Sequence, residues 1–276
     1  MERNDVKSGL IRFVVKLSGF LTIGVLAVLI VYIVSMGLLN IRPEMFAFHY
    51  TTENASMMPA ILNTIHLTII ALLISSIIGI FAAIYLVEYS KQNSKVVRII
   101  RLTVETLAGI PSIVYGLFGY LAFVVALKLG YSLFAGAFTM AIMVLPLIIR
   151  TTEEALLGVD DIYREGSYGL GAGKLRTIFK IVLPAAMPRI LSGIILAIGR
   201  IIGETAALIY TAGSVPDIAK SGFQSGRTLS VHMFSLLSEG IYIKQAYATA
   251  VVLLVFIILI NWFARRLFKR LNPLSR

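Results

Sequence analysis

Ile190-Leu191-Ser192-Gly193-Ile194-Ile195-Leu196-Ala197-Ile198-Gly199-Arg200-Ile201-Ile202-Gly203-Glu204 decides the solvent in which this chain folds. The run is apolar on both sides of a single arginine. An arginine at the centre of a spanning helix costs roughly 2.5–3.5 kcal/mol on insertion scales, so such a residue faces a polar cavity or a partner. Glu204 stands four residues on, which predicts one helical face for the two and an ion pair between them. The pair alone fits either a buried structural lock or a station on a pathway.

The whole chain carries the same signature. It has 276 residues, of which 58% are hydrophobic and 14% charged. Its mean hydropathy is +0.89. Soluble domains have roughly 45–50% apolar and 25% charged residues. Spanning a bilayer takes about 20 apolar residues, and stretches near 17–39, 60–87, 106–129, 131–149, 188–213 and 245–264 meet that length. The expectation is an all-α, polytopic membrane protein of six transmembrane helices. The first stretch exceeds the 7–15 residues of a signal-peptide core and has no small-x-small site after it, so it reads as a span.

The net charge of +11 is a topology signal. Basic residues crowd alternate loops: Arg3, Lys7, Arg12 and Lys16; Lys91, Lys95, Arg98 and Arg101; Arg150, Arg164, Lys174, Arg176, Lys180 and Arg189; and a tail from Arg265 to Arg276. The intervening loops hold only Arg42, Lys128, Lys220, Arg227 and Lys244. By the positive-inside rule both termini lie in the cytoplasm of a plasma (inner) membrane protein. The same distribution argues for lipid contact and against nucleic acid.

Catalytic signals are missing. Cysteine is absent, and His49, His66 and His232 have no ligand spacing, so no metal site is expected. Gly169-Leu170-Gly171-Ala172-Gly173-Lys174 departs from a phosphate-binding P-loop, with Tyr168 at the first glycine and Leu175 at the hydroxyl position. The chain is expected to be no enzyme and to bind no cofactor. Glu105 is placed to pair with Arg101 one turn earlier, and Gly199-x-x-x-Gly203 to let helices approach closely.

The loop at about 150–187 is organised. Asp160 and Asp161 cap and charge a short helix over Ile162 to Leu170, ended by a left-handed Gly171 or Gly173. An amphipathic stretch from Leu175 to Leu183 follows and is expected to stop at Pro184.

Here the chain resembles a known family. Glu165-Gly166-Ser167, then Gly171, then Ile181, Leu183 and Pro184 is similar to the E-A-A-x3-G-x9-I-x-L-P motif of ABC-importer permeases, with small residues in place of both alanines. That resemblance implies a MetI-like permease core, with those seven residues forming a coupling element that seats on an ATPase subunit. Further segments are similar to the phosphate-specific (Pst) importer permeases: Gly109-Ile110-Pro111-Ser112-Ile113-Val114-Tyr115-Gly116, Ile149-Arg150-Thr151-Thr152-Glu153-Glu154 and Gly203-Glu204-Thr205-Ala206-Ala207-Leu208. Ile149-Arg150-Thr151-Thr152-Glu153 and Ala197-Ile198-Gly199-Arg200-Ile201-Ile202-Gly203-Glu204-Thr205-Ala206 bring it nearer the A-type (PstA) than the C-type (PstC) subunit.

The resemblance implies import of inorganic phosphate. Its partners are a second, C-type permease, two ATPase subunits that bind ATP and Mg, and an extracytoplasmic phosphate-binding protein. Residues 1–56 then form a segment with a peripheral first span, and 57–276 the permease domain. Arg200, Glu204 and Arg150 are the expected substrate pathway. Counted from Arg189, Arg200 lies about 16 Å along its helix, near the midplane of a roughly 30 Å core. Glu204 is expected to hold Arg200 in register and to accept a hydrogen bond from a protonated phosphate oxygen. Permeases for molybdate, tungstate or sulfate, and more remotely a gradient-driven transporter, are the alternatives.

Overall fold

The computed structural model describes residues 2–90 and 94–271. Of the basic loop residues, Lys91 and Arg276 lie outside the described residues, as do the side chains of Arg3, Lys7, Lys269 and Arg270.

Eleven helices follow one another among the described residues, with no strand. Helix α1 (Glu2–Leu38) packs on the last helix and leaves its apolar window exposed. A short 3₁₀ turn at Pro43–Phe46 leads to α2 (Met58–Ile84), which runs on through a π turn at Tyr85–Tyr89. Then come α3 (Lys95–Ala108), α4 (Ser112–Gly119, continued to Ala126 in π geometry), α5 (Leu133–Leu157) and α6 (Asp161–Gly169). Helices α7 (Lys174–Thr177) and α8 (Leu183–Gly203) are joined by a π turn at Ile178–Val182. The chain closes with α9 (Ala206–Ile209), α10 (Leu229–Ser238) and α11 (Ile243–Leu271).

Five of these are long and apolar enough to cross a membrane, or six if the bent α3–α4 pair counts as one. The core is α2, α5 and α8, sealed by Leu67, Ala71, Met140, Val144, Ala197 and Ile201. Apolar side chains gain little from leaving lipid for protein, so close packing must supply the cohesion. Glycines provide it. A Cβ at Gly79 would lie 2.7 Å from Ile148 Cγ2, and the Thr151 side chain fills the space that a Cβ at Gly193 would take. At Gly116 the backbone of Ala207 comes within 2.8 Å of a Cβ position, which docks α9 on α4.

Two spans differ from the sequence reading. The third, read as one span over about 106–129, begins earlier and is sharply bent, with α3 and α4 meeting at 103°. Pro111, with no N–H and a fixed φ, stands between them in extended geometry, and the Tyr115 hydroxyl donates to the Leu107 carbonyl at 2.8 Å across the bend. The α3 stretch carries Lys95, Arg98, Arg101 and Glu105 on an amphipathic helix, unsuited to lipid on all sides.

The fifth span is shifted as well. It runs from Lys174 to Gly203 rather than from 188 to 213, and Pro184 does not stop it. Pro184 falls in the first turn after the π geometry of Ile178–Val182, where the α-helical hydrogen-bond ladder is restarting. At its other end the helix stops at Gly203, with Glu204 in extended backbone.

Helix α10 folds down as a cap over the spans: Leu229, Val231, His232 and Leu236 are buried. Asn63 of α2 ties the preceding loop, donating to the Asp217 carbonyl at 3.0 Å and accepting from the Ala219 N–H at 3.0 Å. Burial, with the nearby Arg227 charge second, pushes His232 down to about 3, so it stays neutral in the cap.

Candidate functional site

Arg200 occupies the last turn of α8, next to an exposed stripe of Ser192, Leu196 and Gly203. The Gly193–Thr151 contact sets the register between α8 and the antiparallel α5. Arg200 is seven residues beyond Gly193, about 10 Å farther from α6 along the axis. Arg150, beside Thr151, is therefore nearer the α6 end.

Both arginines line one cavity of about 640 Å³, with Arg101, Glu105, Glu153 and Glu154. Arg101 of α3 meets Glu153 of α5 through Nη2 at 2.6 Å and Nε at 2.7 Å on one carboxylate oxygen. Glu153 is largely covered, and a charge-assisted bond there is among the stronger hydrogen bonds available. Arg150 pairs with Glu154 at 3.1 Å in an exposed i,i+4 contact, the class worth ~0–1 kcal/mol. Three guanidinium groups thus face three carboxylates around one space. Arg200 and Glu105 take part in no ion pair among the described residues. Glu105 does not pair with Arg101, because Glu153 has taken that partner.

Glu204 is not on the Arg200 face. Helix α8 ends one residue before it, and its Oε1 accepts from the Ala207 N–H at 3.1 Å, holding the start of α9. The expected Arg200–Glu204 ion pair is absent among the described residues, and the i,i+4 relation fails because no helix continues through 204. Glu204→Gln keeps an oxygen for that bond. It should assemble and transport at the parental rate in an uptake assay, whereas a large loss of uptake in an assembled variant would return Glu204 to the path.

Beyond their own helix backbone, no atom among the described residues lies within 4 Å of a Cβ built on Gly199 or Gly203. The close approach expected of that pair is not made to any other described helix.

The motif at 165–184 divides in two. Helix α6 begins where the Asp160 carboxylate accepts from the Ile162 N–H at 3.0 Å. It ends in a Schellman arrangement, with the Ala172 N–H on the Ser167 carbonyl (3.1 Å) and the Gly171 N–H on the Tyr168 carbonyl (2.9 Å). Gly171 has φ +81°, which suits glycine. Glu165, Gly166 and Gly171 are exposed, and Leu170 beside them is 91% exposed. Ser167 instead turns inward, its Oγ 2.8 Å from Thr177 Oγ1. Ile181, Leu183 and Pro184 are half-buried on the π turn and the first residues of α8. Leu183 packs against a core of Ala83, Ile84, Leu156, Val159, Ile178 and Val182. The second half of the motif roots the first half in the bundle.

A family model described as "Binding-protein-dependent transport system inner membrane component" matches residues 75–273. A PstA phosphate transport system permease protein of Pasteurella multocida is 34% identical over 218 residues, covering 78% of this chain and 77% of that protein. The chain is a PstA-type member of the binding-protein-dependent permease family. The permease is also 36% identical over 218 residues to a PstA 2 protein of Mycobacterium bovis, across 75% of this chain and 72% of that one. A probable ABC transporter permease protein of Bacillus subtilis, YqgI, is 31% identical over 254 residues, 82% of this chain and 86% of that one. Among solved structures, an inward-facing MetNI methionine ABC transporter chain superposes with a TM-score of 0.65 at 19% identity, covering 78% of the permease and 95% of that chain. That likeness is one of fold, the MetI-like core expected from the motif. The permease is a multi-pass membrane protein and not itself an ATPase, and family membership removes a gradient-driven transporter.

Proposed function

We propose that the permease is the A-type membrane half of an ATP-driven importer that carries inorganic phosphate into the cytoplasm. The observation that carries this reading is the cavity holding Arg200, Arg150, Arg101 and their carboxylates, in a chain whose relatives are phosphate permeases. Arginine offers paired donors in a plane that matches phosphate oxygens. Arg200, the cavity guanidinium with no carboxylate partner among the described residues, is the one ready to receive an anion, and Arg150 lies on the way to the α6 end. The surrounding carboxylates neutralise the site, so that an anion is passed on rather than held. In this geometry Glu105 and Glu153, rather than Glu204, are the carboxylates set to accept a hydrogen bond from the protonated oxygen phosphate carries near neutral pH.

The rest of the importer follows from the uncovered surfaces. Residues 57–276 act as the permease domain, with 1–56 an added segment and span. The exposed stripe of Ser192, Leu196 and Gly203 is the contact with a C-type permease, which completes the wall of the path. Helix α6, with exposed Glu165, Gly166, Leu170 and Gly171, is the seat of an ATPase subunit, which binds ATP and Mg. An extracytoplasmic phosphate-binding protein delivers to the α10 side, and both termini are cytoplasmic.

The assembly is tested by blue-native electrophoresis of gently solubilised membranes. The permease should migrate with two ATPase subunits and a second permease. Migration always alone, with no ATPase attached, contradicts the reading.

A further inference from the structure

Arg164 lies in the middle of α6, and four of its five hydrogen bonds run back into the bundle. Nε and Nη2 reach one Glu88 oxygen at 3.1 and 2.9 Å. Nη2 also donates to the Leu156 carbonyl at 2.9 Å, and Nη1 to the Val159 carbonyl at 2.8 Å and to Asp161 at 3.0 Å. A guanidinium has five N–H groups, and five hydrogen bonds are made. Only 14% of the Arg164 side chain and 6% of the Glu88 side chain are exposed.

Those bonds join three elements. Glu88 belongs to the π turn that ends the second span. Leu156 is in the last turn of α5, where carbonyls lack helical partners and a cation is favoured by the helix dipole. Asp161 and Arg164 itself belong to α6. One turn back from Leu156 on α5 stands Glu153, bonded to Arg101 of α3 in the cavity wall.

We propose that Arg164 is a positioning residue that makes α6 and the cavity-lining end of α5 move as one body. It touches neither ATPase nor substrate. It ties the helix carrying exposed Glu165 and Gly171 to the helix carrying Arg150, Glu153 and Glu154. This inference rests on the reading of α6 as the ATPase seat. Lysine is a poor replacement, since its point charge on a flexible stem cannot bridge a carboxylate and two carbonyls in fixed directions. Glu88→Gln removes the charge while keeping shape and one acceptor.

The test uses the whole complex in proteoliposomes, with ATP hydrolysis and phosphate uptake measured on the same vesicles. Arg164→Lys and Glu88→Gln should each keep the ATPase subunits bound and basal hydrolysis near the parental rate. Uptake should fall about ten-fold, within the range that substitutions along coupling networks produce, so the ATP spent per phosphate rises. Parental stoichiometry in either assembled variant overturns the proposal. So does loss of the ATPase subunits from both, which makes Arg164 a docking or folding determinant only. A parental complex that assembles but moves no phosphate defeats the functional reading instead, and the two failures are separate.

Discussion

Arg200→Lys should lower phosphate uptake by at least about ten-fold in proteoliposomes while leaving the amount of assembled complex unchanged. The sign and size come from two opposed features of the site. Lysine keeps the charge but gives a point donor where arginine offers a planar fork, and losing one of two charge-assisted bonds to a partly desolvated anion costs about 1.5–3 kcal/mol. Stability, by contrast, should hardly change. No carboxylate among the described residues forms an ion pair with Arg200, so the substitution strands no buried partner. A loss of uptake together with loss of assembly would assign Arg200 to the fold. Parental uptake would remove it from the path.

Gly171→Leu should uncouple hydrolysis from transport, and the structure separates two causes. At φ +81° an L side chain is strained by roughly 1–2 kcal/mol, which disturbs the Schellman end of α6. The surroundings are open within the chain, since no atom lies within 4 Å of a Cβ built there. Bulk at this position therefore clashes only with a docked partner. Asparagine tolerates the left-handed region better than leucine, so Gly171→Asn isolates bulk from strain. The expected order of uptake per ATP hydrolysed is parental, then Gly171→Asn, then Gly171→Leu far below. Normal coupling in the leucine variant would show that α6 is not the seat of the ATPase.

How much of this was legible in the sequence depended on whether the signal was local. Apolar length announced the spans. The capped α6 and its glycine end were legible because capping chemistry is confined to a few residues. The size of the α3–α4 bend was obscured because Gly109-Ile110-Pro111 sits inside a run apolar enough to read as one span. The start of the fifth span was missed because a proline reads as a stop, and only the π turn ahead of Pro184 lets the helix pass.

The site was half legible for the same reason. Arg200 and Arg150 stood out as charges in or beside apolar runs. Their neighbours did not, because Arg101–Glu153 joins residues 52 positions apart and nothing local marks the pair. Glu204 was misplaced by assuming a helix where the chain turns to start α9. Arg164 counted only as one more basic loop residue, although its hydrogen bonds to Glu88 close over 76 positions.

In the proposed importer this chain conducts phosphate past Arg200. The most direct measurement is ATP-dependent uptake of radiolabelled phosphate by proteoliposomes holding the permease, its C-type partner and the ATPase subunits, with the binding protein added outside. Unlabelled sulfate, molybdate and tungstate are the competitors. Accumulation of phosphate that needs ATP, resists a large excess of the three competitors and falls sharply in Arg200→Lys is the predicted result. Accumulation of molybdate, tungstate or sulfate in place of phosphate, or phosphate uptake indifferent to Arg200, would contradict it.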